Sequence, residues 1–241
     1  MAGKLFKYLS ELIIIIAGIS ISLFFDELAE DLKKDKLEIY YLQSLLENLQ
    51  EDSTRLKGKL NFINKIDSAS DVLLKYFLEN PAPEHSLTSI INSQTTLLQH
   101  SVFASNKSVY EELKSTGYFI AIKNRDLKND VFNYYGTTEN VMQNDVSADN
   151  VITYFVYQNI IGNLSLSNLA KAEKANYRFL LQNVNVSNVD FPKPNNVSKN
   201  EMVNAILIRK GINASQKFEY LNLSKLNASL INSIRKELSV R

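Results

Sequence analysis

The chain contains no cysteine, which excludes disulfides, thiolate zinc sites, iron–sulfur clusters and cysteine nucleophiles together. Its 7 glycines and 4 prolines are too few for the many tight turns of a β-sandwich or barrel, so helices are favoured. An excess of one charge is also missing. Twenty-seven basic residues face 26 acidic ones, the net charge is +1, and neither sign collects into a long block, so nothing indicates a nucleic-acid partner. The only two histidines, His85 and His100, flank a Ser/Thr-rich stretch without companions at ligand spacing, and no metal site is expected. The glycine-rich phosphate loops and the GxSxG elbow are absent, and Glu111 and Glu112, adjacent on a helix, point to different sides. The expectation is a protein with no catalytic residues and no cofactor.

What the chain does have is a long apolar run near its N-terminus. Leu12 to Phe25 reads LIIIIAGISISLFF, fourteen residues without a charge, and as a helix that covers only ~21 Å. Counting from Leu5 lengthens it to ~31 Å, which matches a hydrocarbon core of ~30 Å. Residues 1–25 are therefore read as a transmembrane anchor, with Lys4, Lys7 and Tyr8 as interface anchors, Lys7 by snorkelling to the headgroups. Two rivals stand beside this reading. A cleaved signal peptide fits the basic start, but a cut after Ala29 would put Leu28 and Glu27 where small residues are needed. A buried soluble helix fits poorly, because four consecutive isoleucines followed by Leu23, Phe24 and Phe25 leave few positions for a wet face. Lys4 and Lys7 before the span orient the N-terminus to the cytoplasm and the remainder to the periplasmic side, although Lys33, Lys34 and Lys36 weaken the bias.

Glu11 is the one ionisable residue inside this segment that calls for a reason, since an acid at the helix centre costs ~2.5 kcal/mol or more on insertion scales. Together with Ile14, Gly18, Ser22 and Phe25 it forms a stripe on one side of the helix, and Gly18-xxx-Ser22 is a small-xxx-small contact. Three readings follow: pairing with Lys7 at the interface, a seam between helices, or an ion or proton path.

From Gly18 a 3-4 alternation of mostly apolar positions continues through Ile21, Phe25, Leu28, Leu32, Asp35, Ile39 and Leu42 as far as Phe77, with no proline before Pro81. This predicts one nearly continuous helix over 5–78, with Gly58 as its weak point, the part from 26 to 80 forming a stem. Tyr41, Leu45 and Leu73 broaden the stripe beyond a coiled-coil seam and favour packing within a bundle, with a coiled coil as the alternative. Residues 81–241 are expected to form the helical soluble domain: a helix over 87–99, a capping box Ser108-Val-Tyr-Glu111 with Gly117 as the terminator, and a helix capped by Asn124 and running to Asn144. Further on, a core helix over 151–161 closed by Gly162, a helix from Ser167, a loop over 183–197, a second capping box Ser198-Lys-Asn-Glu201 closed by Gly211, and a last helix over 214–238 are predicted.

KYLSELIIIIAGISISLFFDELAED, followed by the Leu-rich helix and by NKSVYEELKSTGYFIAIKNRDLKNDVFNYY, resembles a family of bacterial single-pass membrane proteins classed as a domain of unknown function, over Lys7 to Tyr135. The resemblance implies an N-terminal transmembrane helix, a helical soluble domain and a Gram-negative envelope setting, and it implies no activity. The resulting expectation is an all-α, membrane-anchored, non-enzymatic scaffold of the bacterial inner membrane that self-associates through its span and stem. Its partners are the lipid bilayer and a second copy or another membrane protein. The alternative is a ligand-sensing bundle acting through a partner subunit, with Tyr134, Tyr135, Tyr154, Phe155 and Tyr157 either lining a pocket or packing as core.

Overall fold

In a computed structural model of the chain, the backbone is described over 2–79, 87–162 and 196–240, and the side chains over 14–79, 89–90, 92–156, 158–160 and 199–240. Every described element is helical, and no strand occurs among the described residues. Helix α1 spans Ala2–Leu78, 77 residues without interruption, which at 1.5 Å per residue is ~115 Å of rod. Gly58, the expected weak point, lies inside it with open space where a Cβ would go.

Three lengths of chain then run up and down against its outer half. Helix α2 (Leu87–Leu97), an extended stretch and α3 (Ser108–Thr116) descend along α1, as shown by Arg55 donating to Ala104 O at 2.8 Å and Tyr41 Oη donating to Glu112 at 2.9 Å. A 3-10 turn, Tyr118–Ala121, reverses the chain at the base. Helix α4 (Arg125–Val151) climbs and passes through a π-turn (Ile152–Val156) into α5 (Tyr157–Gly162). The last helix, here α6 (Asn196–Ser239), descends again, with Asn213 bonded to Asp67 and Asn227 to Leu49 O. The order is that of an up-down-up-down four-helix bundle whose second member is broken in the middle.

Burial on α1 begins with Glu38 and continues through Leu42, Leu45, Leu49, Leu56, Ile63, Leu73 and Phe77. The 3-4 stripe is therefore consumed inside the molecule from Leu42 onward, as a bundle requires and an intermolecular coiled coil does not. Two apolar clusters fill the interior: a lower one around Leu45, Tyr134 and Leu223, and an upper one around Leu73, Ile152 and Ile206.

Several local expectations are corrected. Gly211 does not end a helix, and the segments 201–211 and 214–238 are one helix that begins at Asn196, ahead of Ser198. Residues 151–161 are no separate helix, because the π-turn carries α4 straight into α5. Ser108 is the first helical residue of α3, not its cap. The cap position falls to Lys107, which makes no side-chain cap; Glu111 N bonds to Lys107 O at 2.9 Å, and Asn106 Oδ1 accepts the Ser108 amide at 3.2 Å just ahead of the helix. Asn124 caps α4 as expected, accepting from the amides of Asp126 and Leu127 at 3.1 Å each, and Gly117 takes the left-handed conformation at φ 74°. The predicted helix from Ser167 and most of the loop over 183–197 lie outside the described residues. The expected transmembrane anchor is not supported among the described residues, where no helix is long and apolar enough to cross a membrane.

Candidate functional site

Two features stand apart from ordinary bundle packing: the uncovered lower part of α1 and a polar network inside the bundle. Of the residues singled out in the sequence, the side chains of Lys4, Lys7, Tyr8 and Glu11 lie outside the described residues. Ile14, Gly18, Ser22 and Phe25 follow one another along α1 and are exposed, as is every residue from Ile14 to Lys34. Ile14 is 70 % exposed and Phe25 61 %, whereas Leu42 on the same helix is fully buried. Ile15, Ile16, Ile19, Ile21, Leu23 and Phe24 are exposed too, so the apolar surface encircles the helix. A Cβ placed on Gly18 would meet nothing within 4 Å.

The aromatic residues of the sensor alternative do not converge. Tyr134 and Tyr135 are core, while Tyr154 is 70 % exposed and Phe155 40 %, and the side chain of Tyr157 lies outside the described residues. No common pocket joins these described rings.

Sequence reasoning missed the network that holds the extended stretch between α2 and α3. Backbone outside a helix must find other partners when it is covered by protein, and buried carboxylates supply them. Asp52 on α1 accepts from Asn106 N at 2.7 Å and from Tyr134 Oη at 2.9 Å. Asp145 on α4 accepts from Phe103 N at 2.8 Å, Tyr220 Oη at 2.6 Å and Gln216 at 2.9 Å. Glu38 accepts from Lys123 N at 2.8 Å where the chain leaves the 3-10 turn. Asn227 donates to Leu49 O and to Tyr134 Oη, tying α6 into the same system. Burial pushes the Asp52 carboxyl above its ordinary value, against the hydrogen bonds from Asn106 and Tyr134, and burial beside carboxylates raises the Tyr134 and Tyr220 hydroxyls strongly. Each acid faces amides and phenols, an arrangement that pins loop to helix and presents no reactive group to solvent.

Asp145 also lines a small, partly open cavity of about 10 Å³, with His100, Asp149, Arg209, Gln216 and Tyr220, room for about one water. Arg209 is 1 % exposed, donates from one Nη to Gln99 O at 2.8 Å, and has no protein partner for Nε or the other Nη. Desolvation brings its guanidinium down to about 10 against the pull of Asp149 and Asp67. His100 Nδ1 approaches Asp149 Oδ1 to 2.5 Å without the alignment of a hydrogen bond. With Asp67, Asp145 and Asp149 around one arginine, the cavity is not a seat for an anion. No grouping of three or more metal-ligating side chains occurs among the described residues.

No family model, curated protein or solved structure matches the chain. The functional reading therefore rests on the geometry above.

Proposed function

We propose that the protein is a membrane-anchored, non-enzymatic scaffold: the lower part of α1 enters a bilayer and holds the helical bundle at its surface for partners to dock on. The single observation that carries the reading is the all-round exposure of Ile14 to Phe25 on a helix whose outer half is core. A helix that is apolar on every side is stable when buried in protein or in lipid, and no described part of this chain covers it. On the insertion scale each Ile, Leu or Phe favours the membrane by ~0.3–0.6 kcal/mol, so the eight large exposed side chains of this stretch together favour it by ~2–5 kcal/mol. The stretch measures ~18 Å, short of the ~30 Å hydrocarbon layer; the balance falls on Leu5 to Ile13, where Lys7 and Tyr8 suit the headgroup region.

In this reading the setting is the bacterial inner membrane, in keeping with the envelope setting that the resemblance of the opening segment implies, and Lys4 and Lys7 ahead of the span put the bundle on the periplasmic side. The ligand-sensor alternative has less behind it, because its aromatic residues are divided between core and surface.

The test is fractionation of cells producing the full chain, followed by an alkaline carbonate wash. The wild type is expected to stay with the membranes, and an Ile15→Asp/Ile19→Asp variant to be released. A wild type released by carbonate would sink the anchor.

A further inference from the structure

We propose that the uncovered part of α1 pairs in parallel with the same segment of a second copy of this chain, along Ile14, Gly18, Ile21, Phe25, Leu28 and Leu32. This rests on the membrane-anchored reading and names the partner of that segment. The six positions alternate by 4, 3, 4, 3 and 4, which is the a/d ladder of a left-handed helix pair. All six are exposed in the isolated chain. The ladder stops where the bundle begins. The next d position, Asp35, is held by Lys123 at 2.5 Å, and the one after it, Leu42, is fully buried in the core of its own chain. The segment left over for a partner is thus defined by what the bundle does not use.

Charge fixes the orientation and the occupant. With Phe25 and Leu32 at a, Asp31 falls at g and Lys36 at e of the following heptad. In a parallel pair in register, Asp31 of one copy faces Lys36 of the other, twice by symmetry. Neither residue is in an ion pair within its own chain among the described residues. Lys34 is instead engaged by Glu30 at 3.0 Å on the outer face. An antiparallel pair would lose this match, because g then faces g and e faces e. Gly18 at an a position lets the backbones approach within the bilayer, and nothing in its own chain needs the space. Outside the bilayer the pair extends for only about two heptads, fewer than the ~3–4 that a coiled coil sustains in water. The contact therefore depends on the bilayer, which confines both copies in one plane and raises their effective concentration. The scaffold presents two bundles side by side from one stalk.

The absence of cysteine makes the test direct. Single-cysteine variants of the full chain, Phe25→Cys, Leu28→Cys, Leu32→Cys, Glu27→Cys, Glu30→Cys and Lys34→Cys, are placed in phosphatidylcholine vesicles and oxidised with copper phenanthroline. Positions 25, 28 and 32 are expected to give disulfide-linked dimers and 27, 30 and 34 to give few. Asp31→Lys in the Leu28→Cys background should cut the crosslinked fraction about fivefold, and adding Lys36→Asp should restore it. A flat profile, or none at all, in vesicles that retain the protein through a carbonate wash would overturn the pairing while leaving the anchor intact. Loss of the protein in the wash would overturn the anchor, and the pairing with it.

Discussion

Asp145 concentrates more buried hydrogen bonds than any other acid described above, and Asp145→Ala is the sharpest probe of how the bundle is held. The substitution leaves the amide of Phe103 and the hydroxyl of Tyr220 without an acceptor. Phe103 is fully buried and Tyr220 nearly so. Each stranded buried donor costs ~1–3 kcal/mol, while Gln216 is half-buried and can turn to water, so the loss comes to ~2–6 kcal/mol. Against the ~5–15 kcal/mol stability of a domain, that is enough to loosen the bundle around Phe103 and Tyr220. Asp145→Asn keeps one oxygen for both donors and exposes an amide that Gln216 can meet by rotating its own, so it is expected to cost ~1 kcal/mol. The assay is urea unfolding of the detergent-solubilised chain, followed by far-ultraviolet circular dichroism and by near-ultraviolet signals from its 12 tyrosines. An Asp145→Ala transition within about 0.5 kcal/mol of wild type, the resolution of the extrapolation, would refute the claim that this carboxylate holds the extended stretch in place.

Four further outcomes are expected. Asn124→Ala should destabilise the bundle by ~0.5–2 kcal/mol by uncapping α4, measured by the same unfolding. Ser108→Ala, which removes no cap, should act only through its contacts with Asn48 and Asn106. Arg209→Met replaces a buried guanidinium with two unpartnered nitrogens by an apolar chain of similar length, and is expected to leave the melting temperature unchanged or higher; a drop of several degrees would show that Arg209 holds the upper cluster together. The Asp52 carboxyl sits above its ordinary 3.8 because it is buried. Just above that pH the folded chain binds more protons than the unfolded one, so this residue's contribution to stability falls as pH rises from 3.8 through the folded value. Asp52→Asn should flatten that part of the stability-versus-pH curve, and an unaltered slope would argue against it.

Composition and periodicity carried the all-helical class, because few glycines and prolines and a sustained 3-4 stripe have one simple structural reading. The end of α1 at Leu78 and the cap at Asn124 were legible for the same reason: proline and asparagine act locally. Ser108 was misplaced by one residue, because the helix begins with it, Lys107 takes the cap position and the Ser108 hydroxyl bonds to Asn106 and Asn48 instead, a choice that geometry decides and spacing does not. Gly211 failed as a terminator because packing of α6 against α1 outweighs the ~1 kcal/mol that a glycine costs within a helix. The buried acids were invisible in sequence. Asp52 and Asp145 look like surface residues until the broken second member of the bundle sets its bare amides against them. The aromatic run Val151 to Ile161 misled in the opposite sense, since the π-turn rotates Tyr154 and Phe155 outward.

The central claim is that lipid covers the lower part of α1 and water surrounds the bundle. Nitroxide labels on Ser20→Cys and Lys57→Cys variants of the full chain in vesicles, read by power-saturation electron paramagnetic resonance, test it most directly. The account predicts that the label at position 20 is reached by oxygen and shielded from an aqueous nickel chelate, and that the label at position 57 shows the reverse. Equal and full access of the chelate to both positions would contradict it.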